Sequence, residues 1–374
     1  FRRWWQPPRK ASEREEERSV TFLELFYDLV YVVLISQLAH SLAMHVNLEG
    51  VIGFGFLFAL VWLAWLNGTL YHDLHGNNDI RTRVFTFLQM FTVAAMAVFA
   101  HNAFGDGSVG FAISFAAYHL IITYLWWRTG VHDPLHRPLS QPFVYTYLFS
   151  TILFLVSAFV PPPLRFYLWG IGTLVSVLMP LVSFVRRPSD PEVLAEHERS
   201  MRPSPSIVER FGLLTIIVLG EVIVGVMRGV AGHHHLTWEV GITAALGMLL
   251  SIGIWWLYFD FVSQHMPFDG LRSGAWIYLH LFMTMSIVAT GAAVLNVMEH
   301  AGEPMPADVG WLLVGAIAAT LGCIALLMGT IQLDPRYLPL YRRGAIVAAV
   351  SAILSVGLGF LSLGAIPLLI ILVF

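Results

Sequence analysis

Apolar residues run along this chain in unbroken blocks rather than in alternation, at roughly 20–42, 51–71, 83–100, 109–128, 143–160, 164–185, 206–228, 239–261, 275–296, 309–331, 344–361 and 363–374. A helix of about 20 apolar residues crosses a bilayer and satisfies its own backbone groups there. The pattern predicts an all-α integral membrane protein with about 12 transmembrane helices. The last block is short and contains Pro367, so the sequence is expected to stop inside its final helix. A hydrophilic tail covers residues 1–19, and a polar linker at 186–205 separates a first six-helix half, 20–185, from a second, 206–374. Six crossings return the chain to the side it left, so the halves insert in the same direction, as parallel repeats.

A repeat is also visible in the residues. Thr21-Phe22-Leu23-Glu24-Leu25-Phe26 and Ser206-Ile207-Val208-Glu209-Arg210-Phe211 share a hydroxyl, two apolar residues, a glutamate, one further residue and a phenylalanine before a long apolar run. The end of the second block, Trp65 to Asp73, matches the end of the eighth, Trp255 to Asp260. Phe87-Leu88-Gln89-Met90-Phe91 then matches Tyr278-Leu279-His280-Leu281-Phe282, which places Gln89 opposite His280.

Composition narrows the class. Of 374 residues, 57% are hydrophobic and 12% charged, which excludes an ordinary water-soluble globule. Lys10 is the one lysine, so a retinal Schiff base or an intramembrane lysine nucleophile is ruled out, and a single cysteine, Cys323, rules out internal disulfides. No basic face marks a nucleic-acid partner, and no spacing calls for a metal or another cofactor. With a cytoplasmic N-terminus, all 21 basic residues except Arg165 and Arg228 fall on the inner side. Such an excess on the cytoplasmic side is what orients membrane helices.

Ionisable residues inside apolar blocks are the chemical candidates, because a charge at mid-bilayer costs about 2.5–3.5 kcal/mol on insertion scales. Glu221 lies deepest, between Gly220 and Gly225, with no arginine within a turn. Function and a hydrogen bond between packed helices compete for it, and the glycines also allow close helix contact. Glu24 and Glu209 have capping-box spacing from Thr21 and Ser206, and a polar pathway is the competing role. Asp28 stands a turn beyond Glu24, past capping reach. His280, His119 and His40 each fit a satisfied core histidine as well as a ligand or proton carrier. Asp73 and Asp260 close their helices at the inner face, and Arg81 and Arg83 follow in the turn Gly76–Arg83; these four are candidates for a cytoplasmic gate. His233-His234-His235 reads as a polar loop, since consecutive histidines point in different directions.

The stretch Glu24-Leu25-Phe26-Tyr27-Asp28-Leu29-Val30-Tyr31-Val32, together with Glu209-Arg210-Phe211-Gly212 through Gly220-Glu221, resembles the bacterial low temperature requirement A protein family. Tyr27 and Tyr31 stand where phenylalanine is common in that family. The resemblance implies a polytopic membrane fold and singles out Glu24, Asp28, Glu209 and Glu221; it implies no reaction. The leading functional reading is a secondary transporter, proton-coupled, of an unidentified solute, with Glu221, Asp28, His280, Gln89, Glu24, Glu209 and His119 along its pathway. A membrane-embedded enzyme using acid–base carboxylates on a lipid or isoprenoid is the alternative, followed by a channel or receptor-like module.

Overall fold

A computed structural model describes the chain apart from residues 1–3, 5, 11–12, 14–18, 186–187, 234, 303 and 362. Arg2, Arg3, Arg14, Arg18, Arg186, Arg187 and His234, which entered the charge and loop readings, lie outside the described residues. Among those described, every regular element is a helix: α1 (Phe22–Met44), α2 (Leu48–His75), α3 (Ile80–Ala100), α4 (Ser108–His132), α5 (Arg137–Ser157), α6 (Leu164–Val185), α7 (Pro191–Met201), α8 (Pro205–Gly232), α9 (Trp238–Phe261), α10 (Leu271–Glu299), α11 (Ala307–Leu327), α12 (Leu338–Leu358) and α13 (Ala365–Val373). An isolated bridge pairs Pro267 with Ile331.

Among the described residues, ten spans are long and apolar enough to cross a membrane: α1 to α5, the stretch ending in α8, and α9 to α12; Leu164–Met179 in α6 is a shorter apolar run. Side-chain placement fits a bilayer. Phe26, Leu29, Phe91, Ile353 and other large apolar residues face outward, while Asp28, Arg210, Gln89, His119 and His280 are buried. Water would favour the reverse arrangement, whereas lipid accepts apolar surface and leaves polar groups to pair inside the protein.

Two features differ from the sequence expectation. The 186–205 stretch is not all linker, because α7 forms within it. Asp190 caps that helix through the amides of Glu192 and Val193, and Pro191 supplies the first helical position. These are start signals in a segment with no apolar block to advertise a helix. Similarly, α5 begins at Arg137 and α12 at Leu338, upstream of their apolar blocks, because each opens with a proline in its first turn ahead of the continuous apolar run.

The chain forms two compact units. The first contains Phe1–Gln37, Ala59–Arg210 and Asp269–Gly274; the second contains Leu38–Phe58, Phe211–Phe268 and Ala275–Phe374. Within the first, α4 packs against α3 and α5, and α5 against α6. Within the second, α9 packs against α11 and α13, and α11 against α12. There too α8 and α10 meet backbone to backbone. A Cβ on Gly225 would lie 2.4 Å from the Gly291 carbonyl oxygen, and one on Gly291 would lie 2.7 Å from that of Glu221. Small residues at such crossings are how membrane helices approach closely.

The start of α3 is built by Asp79. Its carboxylate accepts from the Thr82 amide at 3.0 Å and hydroxyl at 2.6 Å, and from the Gln6 amide at 2.8 Å. Burial pushes the Asp79 pKa up, but the hydrogen bonds of Thr82 and Gln6 and the Arg81 charge outweigh it and hold the value below the ordinary one. A depressed carboxylate pKa contributes stability that is complete above the unfolded value, about 3.9, and is lost as pH falls through the folded value. Asp79→Ala is therefore expected to lower stability by about 0.5–2 kcal/mol at neutral pH. The gap to wild type should narrow in acid when both are melted in detergent.

Candidate functional site

The first unit buries a charge pair between Asp28 of α1 and Arg210 near the start of α8. Asp28 is 1% exposed and Arg210 0%. Oδ1 of Asp28 accepts from Nη2 of Arg210 and, at 2.8 Å, from Nε1 of Trp65. The remaining polar atoms of the pair have no hydrogen-bond partner among the described residues: Oδ2 of Asp28, and Nε and Nη1 of Arg210. The Tyr27 and Trp65 rings lie 5.6 and 5.8 Å from the guanidinium carbon, within range of a cation–π contact.

Three tyrosines extend this polar centre. The Tyr27 hydroxyl lies 2.9 Å from that of Tyr31 and 3.0 Å from that of Tyr118. Tyr118 donates to the Ala64 carbonyl, so its oxygen accepts from Tyr27, whose own oxygen then accepts from Tyr31. Gly68 makes room for them, since a Cβ there would stand 2.0 Å from the Tyr27 oxygen and 2.9 Å from that of Tyr118. Beside Tyr27, His72 contacts the Gly68 carbonyl through Nδ1 and the Thr86 hydroxyl through Nε2, each at 2.8 Å.

Gln89 follows Thr86 by three residues, on the same side of α3. It is fully buried, and both polar atoms of its amide lack a partner among the described residues. His119 on α4 is also buried, with neither ring nitrogen paired among the described residues; its ring packs against Phe115, Tyr147 and Phe154. Tyr147 donates to Asn67. Four elements of one unit, α1, α3, α4 and the start of α8, thus contribute polar side chains with unspent hydrogen-bonding capacity among the described residues, which is uncommon for buried groups.

The other sequence candidates take separate places. Glu24 forms the expected capping box: its carboxylate accepts from the Thr21 amide at 2.9 Å and hydroxyl at 2.8 Å, and Thr21 accepts the Glu24 amide. The box expected at Ser206 and Glu209 does not form. Proline at 205 moves the helix start upstream, so Ser204 accepts the Ile207 amide at 3.0 Å, and Glu209 instead accepts the Val20 amide at 3.2 Å. Asp73, buried, accepts the Ser204 hydroxyl at 2.7 Å. Arg81 is buried 3.7 Å from Asp79, and exposed Arg83 donates to Asn78.

In the second unit, Glu221 is buried on α8 where Gly291 of α10 meets its backbone. His280 has both nitrogens occupied, Nδ1 at 2.7 Å from the Trp276 carbonyl and Nε2 at 3.0 Å from the Tyr258 hydroxyl. A carbonyl only accepts, so Nδ1 carries a proton and Nε2 receives one from Tyr258 in the neutral ring. Asp260 is exposed and accepts from Trp256 Nε1 at 2.6 Å. His233 reaches the Met298 carbonyl at 2.7 Å.

Sequence reasoning missed Arg210 as a site residue and counted it with the water-facing charges. The available signal was its position four residues into an apolar run, where Asp28 of the matching run supplies the opposite charge. The ion pair joins the two stretches by which the chain resembled a family, Glu24–Val32 and Glu209–Glu221.

Comparison with known proteins agrees with that resemblance. The sequence model of the bacterial low temperature requirement A protein (LtrA) family matches residues 19–374. The chain is also similar to uncharacterized protein RA0937 of Rhizobium meliloti (strain 1021), with 26% identity over 258 residues. That alignment covers 66% of this chain and 60% of the relative, so the match spans less than two thirds of the relative's length. The match across nearly the whole sequence, over a multi-pass helical membrane fold, places this chain in the bacterial low temperature requirement A family.

Proposed function

We propose that the protein is a proton-coupled secondary transporter of the bacterial inner membrane, with a cytoplasmic N-terminus and two six-helix halves derived from a parallel duplication. One observation carries this reading: the Asp28–Arg210 pair is buried in a membrane protein yet leaves an acceptor and two donors unused. Burying charges is expensive, and a purely structural bridge would be expected to satisfy its remaining atoms as well. Unspent atoms at a fixed charge pair suit a group that arrives and leaves. Asp28 is the proton-accepting residue of this reading, and Glu221 provides a second protonatable carboxyl, in the second unit. His280, with both ring nitrogens engaged, takes no part in proton transfer in this reading.

The test uses purified protein in proteoliposomes that enclose a pH-sensitive dye. A panel of small acids, amines, amino acids and sugars is added across an imposed pH gradient. Wild-type protein is expected to move protons with at least one solute class, and Asp28→Asn to abolish that movement. Glu221→Gln, which keeps shape and hydrogen bonding, is expected to preserve folding and remove the pH dependence. Wild-type vesicles silent toward the whole panel would overturn the transporter reading.

A further inference from the structure

The unused atoms also specify what the site takes, a step that rests on the transporter reading. Arg210 offers only donors, and two of its nitrogens, Nε and Nη1, are unfilled although the side chain is fully buried. The aromatic neighbours lie against the guanidinium, so in-plane N–H groups remain for recognition. A guanidinium edge matches a carboxylate, which can accept two parallel N–H bonds. Asp28 already fills one N–H with a single oxygen, and its second oxygen is idle.

We propose that a small monocarboxylate binds Arg210 in place of Asp28, and that each carboxylate is carried with one proton, held on Asp28. The charges balance. In the empty site Arg210 is neutralised by Asp28. When the solute carboxylate takes over the guanidinium, the Asp28 carboxylate loses its counter-charge in a low-dielectric interior and takes up a proton from the open side, at Oδ2. When the solute leaves, Asp28 releases that proton and pairs again with Arg210. Binding thus adds one anion and one proton, and the site's net charge does not change.

Glu24 is the other carboxylate whose charge acts on both Asp28 and Arg210, but Asp28 is the one hydrogen-bonded to the guanidinium. On its own helix stand Glu24, held in its capping box, and Tyr27 and Tyr31. Tyr118 comes from α4, and Trp65 and His72 from α2; Trp65 and Arg210 are the donors that reach the carboxylate. The hydroxyl chain that ends on the Ala64 carbonyl leaves each tyrosine proton in use.

The experiment is titration calorimetry on the full chain in lipid nanodiscs, with acetate, L-lactate and L-alanine as probes and acetamide as the uncharged control. Repeating each titration in buffers of different ionisation enthalpy gives the protons taken up per ligand. The expected result is binding of at least one acid with uptake of one proton, and no binding of acetamide. Asp28→Asn is expected to bind that acid with no proton uptake. Asp28→Asn/Arg210→Gln, which leaves no orphan charge, should weaken binding by at least about tenfold, a difference of about 1.4 kcal/mol. Absence of binding by all three acids, equal binding of acetamide, or proton uptake that persists in Asp28→Asn would overturn the proposal. If the proteoliposomes move protons with amines or sugars while no acid binds, the carboxylate assignment falls and the transporter reading stands. Acid binding with proton uptake but no flux would do the opposite.

Discussion

Arg210→Gln is expected to destabilise the protein by about 3–5 kcal/mol, the range for removing one partner of a buried ion pair. The loss arises because Asp28 stays buried with Trp65 as its remaining donor. An unpaired carboxylate in such surroundings must either stay charged at high energy or be protonated. The double variant Asp28→Asn/Arg210→Gln removes both charges and keeps hydrogen-bonding groups at both positions. It should regain most of the stability, because a buried pair contributes little net stability over a neutral replacement. Both proteins are to be compared by thermal melting in the same detergent, with retention on size exclusion as a check of folding. If the single and double variants melt together, Asp28 and Arg210 do not act as a pair.

Gly291→Val should be strongly damaging at the α8–α10 crossing. A Cβ at position 291 meets the Glu221 carbonyl oxygen at 2.7 Å, its carbon at 2.8 Å and the Val222 nitrogen at 3.0 Å. These are backbone atoms and cannot rotate away, so the two helices must separate. Overpacking of this kind typically costs about 1–3 kcal/mol, and the extra methyls of valine place the variant at the upper end. Gly220, next to Glu221 in sequence, is the matched control: a Cβ there meets nothing within 4 Å. Gly220→Ala should melt within a degree or two of wild type, with helix propensity slightly in its favour. Equal melting of Gly291→Val and Gly220→Ala would show that the crossing is looser than described.

How much of this was legible in the sequence depended on the range of the interaction involved. The spans were readable because a bilayer demands long apolar helices, and that demand is written residue by residue. Asp28 and Glu221 were readable because a charged residue in an apolar run stands out locally. Arg210 was hidden by the same logic, since an arginine a few residues into a helix looks like an inside-positive flank; only the contact with Asp28, 182 residues away, separates the two meanings. The Ser206 box failed for a local reason, the proline one position earlier, which begins the helix at Ser204's cap. Helix α7 escaped because its cap and proline precede a polar stretch. The glycine crossing was half visible: Gly225 stands beside Glu221 on one helix, but nothing local ties it to Gly291.

The separation of Asp28 from Arg210 along the chain also bears on how the protein is made. Ribosomes add about 5–20 residues per second, so 182 residues correspond to roughly 10–40 s between the synthesis of the two. Throughout that interval α1 holds Asp28 without the arginine that pairs with it in the finished protein. Protonation of Asp28 during insertion meets this need, and it is the same state the carrier is proposed to enter each time a solute binds. The proton exchange proposed for the finished protein would thus draw on the same chemistry that lets α1 enter the membrane before Arg210 is made.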